Sequence, residues 1–138
     1  MRKIPVFFMA FVLAVGTLNA EKKRINPKTL PAPANELIER CWSTKVIDKV
    51  FKDENGYEIL FTDRTVLNCD TAGLWVEMRR SRGLPACAIP SHINRIVDEN
   101  LSPLYVTHIR KLESGFEIKL DDGQVIEFDR FGKIVEKE

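Results

Sequence analysis

Three cysteines, two histidines and a few paired acids are the residues of this chain whose types invite a chemical reading. A thiolate at Cys41, Cys69 or Cys87 could act as a nucleophile, but it would need an activating base beside it. Neither His92 nor His108 has a sequence context that points to that role. His92 stands near a helix start and His108 within a strand, so each is expected at or near the surface. Three cysteines allow at most one intramolecular disulfide and leave one thiol. Asp53-Glu54 and Asp121-Asp122 could offer oxygens to calcium, yet neither pair sits in a fuller oxygen-ligand loop, and turn chemistry accounts for them. There is no Gly-x-Ser-x-Gly, no His-Glu-x-x-His, no phosphate loop and no dinucleotide fingerprint. No catalytic residue, no cofactor-binding residue and no metal ligand is therefore expected, and the chain reads as a non-enzyme.

The charge balance narrows the partners. The 138 residues carry a formal net charge of +1, with acids and bases interspersed. That gives no nucleic-acid footprint and no general attraction to anionic membranes. The N-terminus has a different character. Arg2 and Lys3 precede an apolar run from Ile4 to Leu18, and Asn19-Ala20 leads into Glu21-Lys22-Lys23-Arg24. This is the pattern of a secretory signal peptide over residues 1–20, with cleavage expected after Ala20. No cysteine follows the apolar run, and no other segment is long and apolar enough to span a bilayer. The expectation is an exported protein, periplasmic or secreted, with no stable membrane insertion after cleavage. Residues 21–29 are basic and polar and are expected as a flexible tail.

The elements that must position any site are doubled. Offsetting the chain against itself by about 59 positions aligns Leu30–Glu77 with Ile89–Glu136 without a gap, and about 14 of roughly 48 pairs are identical. The matches include Pro31/Pro90, Asn35/Asn94, Gly56/Gly115, Glu58/Glu117, Ile59/Ile118, Asp70/Asp129 and Gly73/Gly132. In each copy a proline opens an amphipathic helix, with Ala34, Leu37, Ile38, Cys41 and Trp42 on one face of the first and Ile93, Ile96, Val97 and Leu101 on one face of the second. Alternating stretches follow, such as Tyr57-Ile59-Phe61 and Phe116-Ile118-Leu120, broken by the turn signals Asn55-Gly56 and Asp122-Gly123. The predicted fold is α+β. It consists of two tandem units, 30–80 and 89–138, joined by a linker at 81–88. Each unit is one helix followed by a four-stranded antiparallel meander; the two halves can join edge to edge or pack their helices together, and either way both helices lie on one sheet face and the other face is open.

Leu30-Pro31 before a helix, Gly56-Tyr57-Glu58-Ile59, and Asp70 through Gly73-Leu74-Trp75 recur as Pro90, Gly115 through Gly123, and Ile126-Glu127-Phe128-Asp129. In this order and in tandem they resemble the PepSY-like, β-lactamase-inhibitor-like family of small exported bacterial proteins. The resemblance covers essentially the whole chain after the signal segment. It implies two helix-plus-sheet units of β-lactamase-inhibitor-protein-like form in a Gram-negative-type envelope, and no established activity. Cys69 departs from the pattern, which expects an aromatic there, and is expected as a small buried hydrophobe.

The two copies differ on the face predicted to point away from the helices. Leu60, Leu74 and Met78 correspond to Lys119, Lys133 and Lys137, while Val66 and Val76 are matched by Val125 and Val135. An apolar set of Leu60, Val66, Leu74, Val76 and Met78 in the first unit is the expected protein-binding surface. The expected function is an exported binding module that engages an envelope protein or peptide through this open face and regulates or inhibits an envelope enzyme. The alternative is a self-associating structural protein that forms a homodimer through the same face. Arg79, Arg80 and Arg82, with Ser81 and Gly83, read as a solvated basic connection that protects an edge strand, with a site for an anion or an acidic partner as the alternative.

Overall fold

Apolar residues at every second position put one side of each strand into a core, and the strands assemble into a single sheet. The computed structural model describes residues 21–42 and 46–135. The signal-peptide reading of residues 1–20 and the comparison with Lys137 fall outside them. Nine strands run antiparallel in strict chain order: β1 (Lys23–Ile25), β2 (Ile47–Asp53), β3 (Gly56–Phe61), β4 (Val66–Cys69), β5 (Trp75–Arg79), β6 (Val106–Leu112), β7 (Gly115–Leu120), β8 (Val125–Asp129) and β9 (Ile134–Val135). Helix α1 (Ala32–Cys41) lies between β1 and β2, and α2 (Ser91–Asn100) between β5 and β6.

The expectation of two units, each a helix with its own four-stranded meander, is overturned. The α+β class fits in part, but the described residues build one continuous nine-stranded sheet with two α-helices. Two joins account for the difference. Of the two ways the halves could join, the edge-to-edge one is found, with Glu77 opposite Arg110, Met78 opposite Ile109 and Arg79 opposite His108. The segment expected as a loose tail also contributes a strand, with Lys23, Arg24 and Ile25 opposite Lys52, Phe51 and Val50. Residues 81–88 are more than a linker as well, since they include a 3-10 turn, Ala86–Ala88, and bury Leu84 and Ala88.

Continuity is what allows one core. Ile25, Val50, Ile59, Leu67, Met78, Ile109, Ile118 and Ile126 stand opposite one another on β1 to β8. Directly opposite residues point to the same face, so these eight form one apolar row across the sheet. Ala34, Leu37 and Ile38 of α1 and Ile93 and Val97 of α2 join that row in a single buried cluster. Each fully buried aliphatic side chain contributes about 1.5–3 kcal/mol.

The residues shared by the two copies make the turns and the helix entries. Asn35 donates to the Leu30 carbonyl at 3.1 Å, and Asn94 donates to Ala86 at 2.8 Å, so each ties down the chain ahead of its helix. Asp70 Oδ1 accepts from the Leu74 N–H, and Asp129 Oδ1 from the Lys133 N–H, each at 3.0 Å. Gly56 and Gly115 have φ of 146° and 155°, and a Cβ there would lie 2.0 Å from the Cys69 carbonyl oxygen and 1.9 Å from that of Phe128. No side chain fits at either place, which explains the identity of those two positions.

One predicted site residue lies in the core. Met78 is completely buried, on the helix side of the sheet. The cause is a β-bulge. Cys69 pairs with Trp75 and Asn68 with Glu77, so Val76 is an extra residue in β5. The insertion reverses the alternation beyond it and turns Glu77 outward and Met78 inward.

Candidate binding face

Every fully buried side chain of the described strands lies on the helix side, leaving the opposite face of the sheet uncovered. Two cross-strand rows organise that face. The first runs Arg24, Phe51, Glu58, Asn68, Glu77, Arg110, Glu117, Glu127 and Val135. The second, two residues along each strand, runs Lys49, Leu60, Val66, Arg79, His108, Lys119 and Val125. Bulges at Ile47/Lys49 in β2 and Val106/His108 in β6, equivalent positions of the two copies, end the regular alternation just beyond Lys49 and His108 and set Ile47 opposite Phe61 and Val106 opposite Leu120 on the helix side.

The acids of the first row are largely consumed within the protein. Lys22 Nζ lies 2.9 Å from Glu58 Oε1, and Arg110 Nη2 lies 2.9 Å from Glu117 Oε1. His108 Nε2 is 2.5 Å from Glu77 Oε2 and links the two rows across the β5–β6 join. Glu127 is engaged as well. On the helix side the same join is closed by the stacked rings of Trp75 and Phe116, 6.1 Å apart, with Lys111 Nζ 4.4 Å from the Trp75 ring centre.

The sequence-predicted binding residues separate into four groups. Leu60 and Val66 are directly opposite each other in the second row, half-buried and facing outward. Val76, at the bulge, lines a cleft of about 210 Å3 with Phe51, Glu58 and Asn68. Leu74 stands in the turn ahead of β5, 51% exposed. Met78 is excluded from any surface. The apolar surface of the face is therefore narrower than expected in the first copy, and the second copy adds Val125, which is 50% exposed.

Sequence reasoning singled out Arg79 as part of a basic run but missed its neighbours in the second row. Arg79, His108 and Lys119 lie side by side on β5, β6 and β7. With Arg64, Arg80, Ser81 and Thr107 they line a cleft of about 290 Å3. The run Arg79-Arg80-Arg82 was the visible signal, but its neighbours arrive through the β5–β6 pairing, which the internal repeat does not encode.

The acids considered as calcium ligands are engaged in turns. Asp53 Oδ1 accepts from the Asn55 and Gly56 N–H groups at 2.8 and 3.1 Å. Asp121 Oδ1 accepts from the Tyr105 N–H at 2.8 Å. The Gln124 N–H holds the Asp122 carboxyl below the usual aspartate range, and the Lys133 N–H does the same for Asp129. Among the described residues no group of three or more His, Cys, Asp or Glu is placed to hold a metal ion.

The cysteines resolve into a pair and a single. Cys41, at the end of α1, is joined to Cys87 of the 3-10 turn, with Cα atoms 5.8 Å apart. Cys69 is free and buried on the helix side, and burial, then the Asp70 charge, push its thiol up to about 12. It is expected to resist a thiol reagent at pH 8 in the native protein and to react fully once the chain is unfolded without reductant. Stoichiometric labelling of the native protein would show that the Cys69 site is open.

The PepSY-like family, described as "Putative beta-lactamase-inhibitor-like", matches the chain twice, over residues 17–74 and 55–136. No curated protein matches it. Among solved structures, a "putative calcium-regulated periplasmic protein" of Bacteroides thetaiotaomicron superposes with a TM-score of 0.77 at 22% identity, over 83% of this chain and 94% of that one. A "putative periplasmic protein" of Bacteroides vulgatus gives 0.78 at 22% identity, over 84% and 95%. At these identities the likeness is one of fold. No described helix is long and apolar enough to cross a membrane. The two overlapping matches span both copies of the repeat, and the chain belongs to the PepSY-like family.

Proposed function

We propose that this protein is an exported, non-enzymatic binding module that engages a protein or peptide through the open face of its sheet. The observation that carries the reading is the one-sided cover of that sheet: two helices bury one face, while Leu60 and Val66 sit paired and partly exposed on the other. Export is supported by the signal-like segment Arg2–Ala20 and by the periplasmic descriptions of its structural relatives. The thiols support a non-enzymatic role, since Cys41 and Cys87 are bonded and Cys69 is buried with a raised pKa. Regulation or inhibition of an envelope enzyme is the narrower version, and it rests on the family description alone.

The test is affinity capture from envelope extract with the wild type and with a Leu60→Lys/Val66→Lys variant, followed by rebinding of the purified captured protein. The expected result is a partner bound by the wild type and at least about tenfold more weakly by the variant, the effect of losing roughly 1.4 kcal/mol of apolar contact. Equal binding to both would remove the face from the interaction. A second copy of the chain is the other occupant considered, and sedimentation over a range of concentrations detects it as a dimer that the same variant dissociates.

A further inference from the structure

We propose that the Arg64–Arg79–Lys119 corner of the open face binds the carboxylates of an acidic, partly apolar peptide segment. The proposal rests on the reading of the open face as a binding surface and gives that surface a ligand chemistry.

Three observations converge on this corner. First, its cations lie against one another. Arg79 and Lys119 both stand opposite His108, one strand to either side, and Arg64 and Arg80 line the same cleft, so four fixed positive charges share one small area. Second, the neighbouring acids are already committed. Glu77 is held by His108, Glu117 by Arg110, Glu58 by Lys22, and Asp63 by Arg80 at 3.0 Å. Among the described residues, Arg64, Arg79 and Lys119 have no acidic partner. Third, Arg64 has φ of 74°, in the left-handed region that disfavours a side chain. The equivalent residue of the second copy is Gly123, with φ of 94°, so the same turn is made without strain where no arginine is kept. A strained arginine that lines the same cleft as Arg79 and Lys119 points to a role in binding.

The ligand class follows from what borders the cations. The same row continues from Arg79 to Val66 and Leu60, which are half-buried and apolar. An inorganic anion has no use for that surface, whereas a peptide segment brings carboxylates and apolar side chains together. Guanidinium groups suit carboxylates because they can donate two parallel hydrogen bonds to one. His108 of this row already holds one carboxylate, that of Glu77 in the first row.

The probe is a fluorescein-labelled peptide of four glutamates and two leucines, beside a version with glutamine in place of each glutamate. Fluorescence anisotropy is read with the purified protein at low salt and at roughly 0.3 M salt. The glutamate peptide is expected to bind at least about tenfold more tightly than the glutamine peptide, and to weaken with salt. Arg79→Glu/Lys119→Glu is expected to lose about tenfold or more in affinity while keeping the wild-type circular dichroism spectrum. Arg64→Gly is expected to weaken binding several-fold while raising the melting temperature, because it removes the strain.

The proposal is overturned by failure of the glutamate peptide to bind, by equal binding of the two peptides, or by undiminished binding to the charge-reversed variant. Binding of phosphate or of phosphatidylglycerol vesicles without the peptide would overturn it too. A captured partner that is lost by Leu60→Lys/Val66→Lys but kept by Arg79→Glu/Lys119→Glu would sink this inference and leave the open-face function standing.

Discussion

Met78→Lys is expected to abolish cooperative folding at ordinary temperature, whereas Leu60→Lys is expected to leave the protein folded. Both residues are large and apolar, and simple alternation along the strands assigns both to the open face. The bulge at Val76 separates them. Met78 is completely buried, between Leu67 of β4 and Ile109 of β6, at the centre of the apolar row that crosses the sheet. Lysine there loses the packing of the thioether and brings an ammonium with no acid beside it into the core. The combined cost is about 4 kcal/mol or more, a large part of the stability of a domain this size. At Leu60 a lysine head reaches water along its own stem, and the change is expected to stay within about 1 kcal/mol. Thermal and urea unfolding of the two variants, followed by circular dichroism, checks the contrast. Equal losses in both would mean that Met78 faces outward and that β5 keeps regular alternation past Val76.

The contrast also shows where the sequence is readable. The shared turn and helix-entry residues, Asn35/Asn94, Gly56/Gly115 and Asp70/Asp129, reveal the repeat because each is fixed by local backbone geometry. The bulge is less visible, but it does leave a trace. Counting by twos from Trp75, a core residue, puts Glu77 in the core and Met78 outside, a chemically poor arrangement that one inserted residue corrects. The strand in residues 23–25 left no such trace, because a three-residue edge strand that is exposed apart from the half-buried Ile25 needs little apolar patterning. Nor could the repeat predict that β5 would pair with β6. That join is formed once, between the copies, and it creates the cationic corner by laying Arg79 beside His108 and Lys119. The site that the sequence missed is therefore a property of the junction and not of the unit.

Opening the Cys41–Cys87 disulfide is expected to lower stability by about 4 kcal/mol without disturbing the open face. The two cysteines are 46 residues apart, so the bond closes most of the first copy into a loop. In chain-entropy terms, a cross-link of that span removes roughly this much freedom from the unfolded chain. The native structure gives the link a second role. It holds the end of α1 against the 3-10 turn Ala86–Ala88, which leads through Ile89 and Pro90 into α2, and so keeps both helices seated on one sheet. Cys87 is exposed and Cys41 half-buried at the helix end, so serine at either position creates little cavity and the change reports chiefly the lost cross-link. Reductant and a Cys41→Ser/Cys87→Ser variant should therefore lower the melting temperature to the same value, by about 10 °C or more. Reductant added to that variant should have no further effect, because Cys69 has no partner. Affinity for an open-face ligand, measured well below either transition, should stay unchanged. Melting temperatures that ignore both reductant and substitution would refute the stabilising role. A loss of affinity with the fold intact would mean that the helices position the open face through the sheet, and not only its core.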